Sequence, residues 1–169
     1  MTPLIATHAF AALTSLLLGA WQLFFSRKGS PLHRFVGRTW VVLMLYVSVT
    51  SFWIRELRSG QFSLLHVLSV VTIITVSLGF VSALRGDIPN HVGNMIGTWI
   101  GLSTAFVFAV AVPDRAIPQF VITEPIQAAS AGLAVVVTTL ALVGAGRLLA
   151  HQPVSTNATV TSRTAPPAA

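Results

Sequence analysis

Cysteine is missing from all 169 residues of the chain. Its absence excludes disulfides, thiolate-held iron–sulfur clusters and the Cys-x-x-Cys-His attachment of a c-type haem, so any cofactor must be held by other side chains. Acidic residues are scarce as well, with four Asp and Glu against ten Lys and Arg, and charged residues of both signs make up only 8% of the chain. Glu56, Asp87, Asp114 and Glu124 all lie outside the long apolar stretches. A coupled pump or channel ordinarily carries an ionisable group near the bilayer midplane. Here the polar residues at that depth are Ser, Thr and Tyr46, which argues against one. No catalytic acid, nucleophile or nucleotide-binding loop can be read in the chain either, so a hydrolase, transferase or kinase is not expected.

What the chain has in excess is apolar surface. Hydrophobic residues make up 54% of it, far from the balance of a soluble domain. Residues 4–26, 59–84, 88–113 and 125–146 each run without one Asp, Glu, Lys or Arg and are long enough to cross a bilayer core. Residues 35–54 make a fifth span, with Arg38 near one end, where a long side chain can lead its charge back to the interface. The expected fold is therefore all-α: a polytopic membrane helical bundle with a four-helix up-and-down core and a fifth transmembrane helix. The expected divisions are a core over 1–112, an external loop over 113–125, the fifth helix over 126–150 and a disordered cytoplasmic tail over 151–169, which is too poor in large apolar residues to order itself. The first segment lacks a basic stretch before it and is followed by Arg27 and Lys28, so it is expected to remain as a helix rather than be removed as a signal peptide.

The net charge of +6 does not point to nucleic acid, because the basic residues sit in short loops between apolar spans. Alternating the loops puts Arg27, Lys28, Arg34, Arg38, Arg85, Arg147 and Arg163 on one side and Arg55, Arg58 and Arg115 on the other. The richer side is expected to be cytoplasmic. That orientation places the protein in the inner membrane with its amino terminus outside and its carboxyl terminus inside. Trp21, Trp40 and Trp53 are expected near span ends, where indoles favour the interface.

Four of the five histidines sit at span ends, where an ionisable ring calls for a functional explanation. His8 and His66 open the first and third spans at one depth, and His33 and His91 precede the second and fourth at the opposite depth. In an up-and-down bundle the first and third helices are diagonal, as are the second and fourth. Two imidazoles facing each other across the axis at one level are what bis-histidine ligation of an iron porphyrin requires. The two levels are about 25 Å apart at about 1.5 Å per helical residue. The expected cofactor is thus one or two haems b, with His8 and His66 on the outer iron and His33 and His91 on the inner. Arg34 and Arg38 at one end, and Arg55 and Arg58 at the other, are candidates for the haem propionates, although positive-inside charge explains the inner two equally well. The expected role is electron transfer in the membrane, with donor and acceptor unnamed.

Helical spacing places Ala11, Ala12, Ser15 and Gly19 beneath His8, a strip that admits either a macrocycle or a close helix. It places Asn94, Met95, Thr98 and Leu102 beneath His91. Gly93, Gly97 and Gly101 fall on the reverse face, suited to helix packing, including that of a homo-oligomer. Two other functions compete with the redox reading. One is a metal site of His33, Asp87 and His91 on the cytoplasmic face, since these residue types ligate zinc or iron. The other is a non-catalytic structural or helper protein whose histidines only hydrogen-bond at helix ends. His151 reads as a helix-end residue.

His8-Ala9, Leu32-His33-Arg34, Ser63-Leu64-Leu65-His66 and His91-Val92-Gly93, each opening an apolar helix, resemble the core of the transmembrane di-haem cytochromes b reduced by ascorbate. The resemblance covers roughly residues 4–112, and it implies that the first and third helices ligate one haem and the second and fourth the other. The connections here are shorter than in that family. The chain is also similar to an uncharacterised family of bacterial predicted membrane proteins, domain of unknown function 2306. That likeness rests on Arg27-Lys28-Gly29, Leu32-His33-Arg34, Gly37-Arg38 with Trp40, Ser51-Phe52-Trp53-Ile54, Phe62-Ser63 with His66, and Arg85-Gly86-Asp87 with His91. It implies no activity, but it makes the first four helices the motif-bearing unit.

Overall fold

The computed structural model describes residues 2–54, 64–113 and 115–150. Arg55, Glu56, Arg58, Asp114, His151, Arg163 and the tail expected over 151–169 lie outside the described residues. Six helices follow in order: α1 (Pro3–Phe24), α2 (Pro31–Ser51), α3 (Leu64–Leu84), α4 (Ile88–Ala111), α5 (Ala116–Thr123) and α6 (Pro125–Ala150). Local chemistry sets several of their starts. Thr2, Ser30 and Asp87 cap α1, α2 and α4 by accepting the backbone N–H groups of Ile5, His33 and Asn90, each with a proline in the first two helical positions, where its missing N–H costs nothing. Gly86, at φ 77°, ends α3 in the left-handed conformation, and the Asp87 amide reaches back to the Ser82 carbonyl. That is the glycine-terminated closure that lets the chain reverse at once into α4.

Helices α1 to α4 form a ring in which each packs against its neighbours in sequence and α4 closes onto α1, while α1 and α3, and α2 and α4, stand diagonally without packing together. The short connections leave little choice but antiparallel neighbours. Helix α6 lies outside the ring in the groove between α1 and α2, with α5 joining it to α4. At Gly146 a Cβ atom would come within 2.6 Å of Leu32 and 2.8 Å of Phe35, so the missing side chain is what lets α6 approach α2 closely.

The distribution of polarity is inverted relative to a water-soluble bundle. On α3 the inward positions are His66, Ser69, Thr72, Val76 and Gly79, whereas Val67, Val70, Val71, Ile74, Leu78 and Val81 face outward. An apolar surface this extensive is stable only against lipid. The hydroxyls it encloses use the bonds available within and between helices, as in Thr75 to Thr98 at 2.8 Å and Ser51 to Ser69 at 2.6 Å. Helices α1, α3, α4 and α6 are long and apolar enough to cross a membrane. Helix α2, expected as a span, is equally long but less apolar, with Arg34 and Arg38 in its first turns. It packs on α1, α3 and α6, so fewer of its side chains need to satisfy lipid.

Midway along the ring the space is filled. Leu18, Val36, Trp40, Met44, Val76 and Leu102 form the buried core. Trp40 Nε1 donates to the Ser15 carbonyl at 2.8 Å, and Trp99 Nε1 to the Leu16 carbonyl at 3.1 Å. Both indoles lie over Gly19, where any Cβ would collide with them. Trp40 is therefore not an interfacial residue, contrary to expectation. Helix α2 begins at Pro31 rather than near Phe35, which carries Trp40 almost three turns into the bundle.

Candidate functional site

Of the two histidine pairs, His8 and His66 are placed on the walls of a single cavity. His8 comes from the second turn of α1 and His66 from the first of α3. The space between them has a volume of about 210 Å³ and opens between helices at the end of the ring where α1 begins. Ala9 and Ala12 on α1, Ser48 and Ser51 on α2, Ser69 on α3 and Ala105 on α4 keep it open. Their small side chains leave room that larger residues would fill. The strip beneath His8 thus does two things: near the histidine it borders space, and at Gly19 it admits indole rings.

The ring of His8 is oriented by a relay of hydrogen bonds. Thr50 Oγ1 is 2.8 Å from His8 Nδ1, 2.8 Å from the Tyr46 carbonyl and 3.1 Å from that of Val47. A carbonyl only accepts, so the single hydroxyl proton goes to the backbone and the hydroxyl accepts from Nδ1–H. The lone pair of the neutral ring then resides on Nε2, the arrangement in which histidine serves as a metal ligand with a fixed orientation. His66 is 5% exposed and packs against Phe52, ring centroids 5.9 Å apart at 48°.

At the other end of the ring, His33 and His91 are each engaged locally. His33 Nδ1 lies 3.2 Å from Ser26 Oγ, and the His33 carbonyl accepts from Gln22 Nε2 at 2.9 Å. His91 Nδ1 donates to the Gly79 carbonyl at 2.9 Å, which again leaves the lone pair on Nε2. The contact exists because Gly79 has no side chain. A Cβ there would lie 2.6 Å from Met95 Cε and 2.9 Å from Asn94 Cβ. Asp87 is not drawn into this pair. It caps α4 and accepts from Asn90 Nδ2 at 2.6 Å, and among the described residues no three His, Asp or Glu converge as a metal site. His33, Asp87 and His91 are therefore not brought together as one group of three among the described residues. The acidic member is committed to starting a helix.

Arg34 and Arg38 are exposed on α2; Arg55 and Arg58 lie outside the described residues. The basic residue that does border the His8–His66 cavity is Arg115, just before α5, together with Ala116 and Ile117. In the sequence it counted only as a topology charge, because residues 113–125 read as a loop. A helix there brings it back over the end of the ring. Trp99 was missed for a different reason: an indole inside an apolar run gives no sign that it donates across the bundle. A Cβ at Gly93 or Gly97 would meet nothing within 4 Å, whereas one at Gly101 would lie 3.4 Å from Leu68, so only the last of the three faces a neighbouring helix closely.

The family model of predicted membrane proteins designated DUF2306 matches residues 5–148, from the first turn of α1 to the end of α6. The chain belongs to that family. Both histidine pairs and α6 lie inside the matched region, so this DUF2306 protein carries α6 as part of the family unit rather than as an extension of it. No curated protein and no solved structure matches the chain.

Proposed function

We propose that this DUF2306 protein is a bis-histidine haem b protein that carries electrons in the membrane. The observation behind the reading is that His8 and His66, from the diagonal helices α1 and α3, border one cavity, with the lone pair of His8 directed to Nε2. The donor set fits the group: two imidazoles, a largely apolar wall and a cation at its edge. Haem would supply a one-electron iron couple, while the chain would provide axial nitrogen, orientation and a low-dielectric surrounding. His33 and His91 are the residues for a second haem. Their hydrogen bonds through Nδ1 are compatible with ligation through Nε2. Arg34 and Arg38, exposed at the same end, are the candidates for its propionates.

The volume favours the competing reading. Ligand pockets usually measure about 300–1,000 Å³, more than the 210 Å³ here, so a porphyrin must displace part of the wall. Met44, unbranched and at the edge of the cavity, is the side chain best able to yield. In a helper protein no displacement is required, and His8 and His66 serve only as buried polar contacts. A reduced-minus-oxidised spectrum of protein purified in mild detergent from haem-replete cells separates the two. A haem b band that disappears in His66→Ala supports electron transfer; wild-type protein without the band supports the helper.

A further inference from the structure

Arg115 is poorly suited to its place in the backbone. It is the N-cap of α5 and makes no side-chain cap bond, whereas Thr2, Ser30 and Asp87 cap their helices through oxygen. A guanidinium has only donors to offer, and its charge adds to the positive end of the helix dipole. The residue instead borders the cavity shared by His8, His66, Ser51 and Ser69. Among the described residues no Asp or Glu borders that cavity. Glu124, the remaining charged group described at this end, accepts from Gln127 Nε2 at 3.1 Å. A half-buried cation beside an apolar space, with no counter-ion among the described residues, is matched by an anionic group on whatever fills that space.

We infer that Arg115 holds a carboxylate of the ligand in the His8–His66 cavity, which makes α5 part of the binding unit rather than a connection. The inference rests on the haem reading, in which that carboxylate is a porphyrin propionate. Arg115 is a positioning residue: it touches the periphery of the ligand and not the iron.

The experiment uses full-length protein produced under haem limitation, solubilised in mild detergent, and titrated with haemin or with haemin dimethyl ester, whose propionates are uncharged. Low-spin bis-imidazole absorption reports binding. Wild-type protein is expected to bind haemin at least about tenfold more tightly than the ester, the effect of one charge-assisted hydrogen bond. Arg115→Gln is expected to bring the two ligands to within about twofold of each other, and Arg115→Lys to keep part of the preference. Equal wild-type affinity for both ligands, or an undiminished preference in Arg115→Gln, overturns the inference and leaves the haem reading standing. A wild-type chain that binds neither ligand overturns the haem reading and the inference with it. Elution of each variant at the wild-type position in gel filtration shows that any lost preference is not lost folding.

Discussion

The two ends of the four-helix ring carry the same residue type in the same diagonal arrangement, yet they are built differently. At the His8 end, alanines and serines on four helices leave space between the imidazoles. At the His33 end, His91 is drawn onto the Gly79 carbonyl and His33 lies against Ser26, so each ring is held through Nδ1 by a neighbouring segment. What separates the two ends is therefore the size of the side chains that neighbour the imidazoles. The spacing of the histidines is alike at both ends.

Breaking the His8 end should have the largest effect. In haem-loaded protein His66→Ala is expected to abolish the haem b band contributed by this cavity, while His33→Ala leaves that contribution in place, both read from reduced-minus-oxidised spectra. Equal loss in both variants would mean that the two ends do not differ as the structure suggests. Thr50→Val removes the acceptor that orients His8, and loss of such a partner typically weakens ligation about 10- to 100-fold; haem titration should show this at the His8 end, which Ser26→Ala should leave unaffected.

Smaller effects sharpen the comparison from the other side. Gly79→Leu forces a side chain into Met95 and Asn94 and should cost about 1–3 kcal/mol, as overpacking does, measured by unfolding in detergent. Gly93→Leu, with nothing within 4 Å, should leave that stability unchanged. Thr98→Val removes the hydroxyl pair with Thr75 and should cost about 0.6 kcal/mol, the average for interhelical hydrogen bonds in membranes.

Much of the architecture was legible in the residues. Lipid demands uninterrupted apolar runs, and residues 4–26, 88–113 and 125–146 are accordingly close to α1, α4 and α6. Short loops demand antiparallel neighbours, and the diagonal placement of α1 with α3 and of α2 with α4 followed. Position relative to the membrane surface was harder to read. Trp40 read as an interfacial indole because the start of α2 was placed too late, and only a Ser-Pro cap at Ser30 and Pro31 marks the true start. Helix α5 read as a loop because Pro118 stands within it and Arg115 is no capping residue. Asp87 was a candidate metal ligand by residue type alone, and its role as the cap of α4 could not be read from composition.

By itself the sequence determined that the chain resides in lipid, how many long helices it forms, which neighbours must be antiparallel and at which ends the histidines lie. These follow from the free energy of burying apolar side chains and from the reach of short connections, both properties of the chain taken in order. Only the tertiary structure decided that His8 and His66 share a cavity, that Trp40 and Trp99 close the middle of the ring, and that Arg115 returns over its end. Those outcomes depend on side-chain volumes from helices far apart in sequence meeting at one level, and no local pattern encodes that sum.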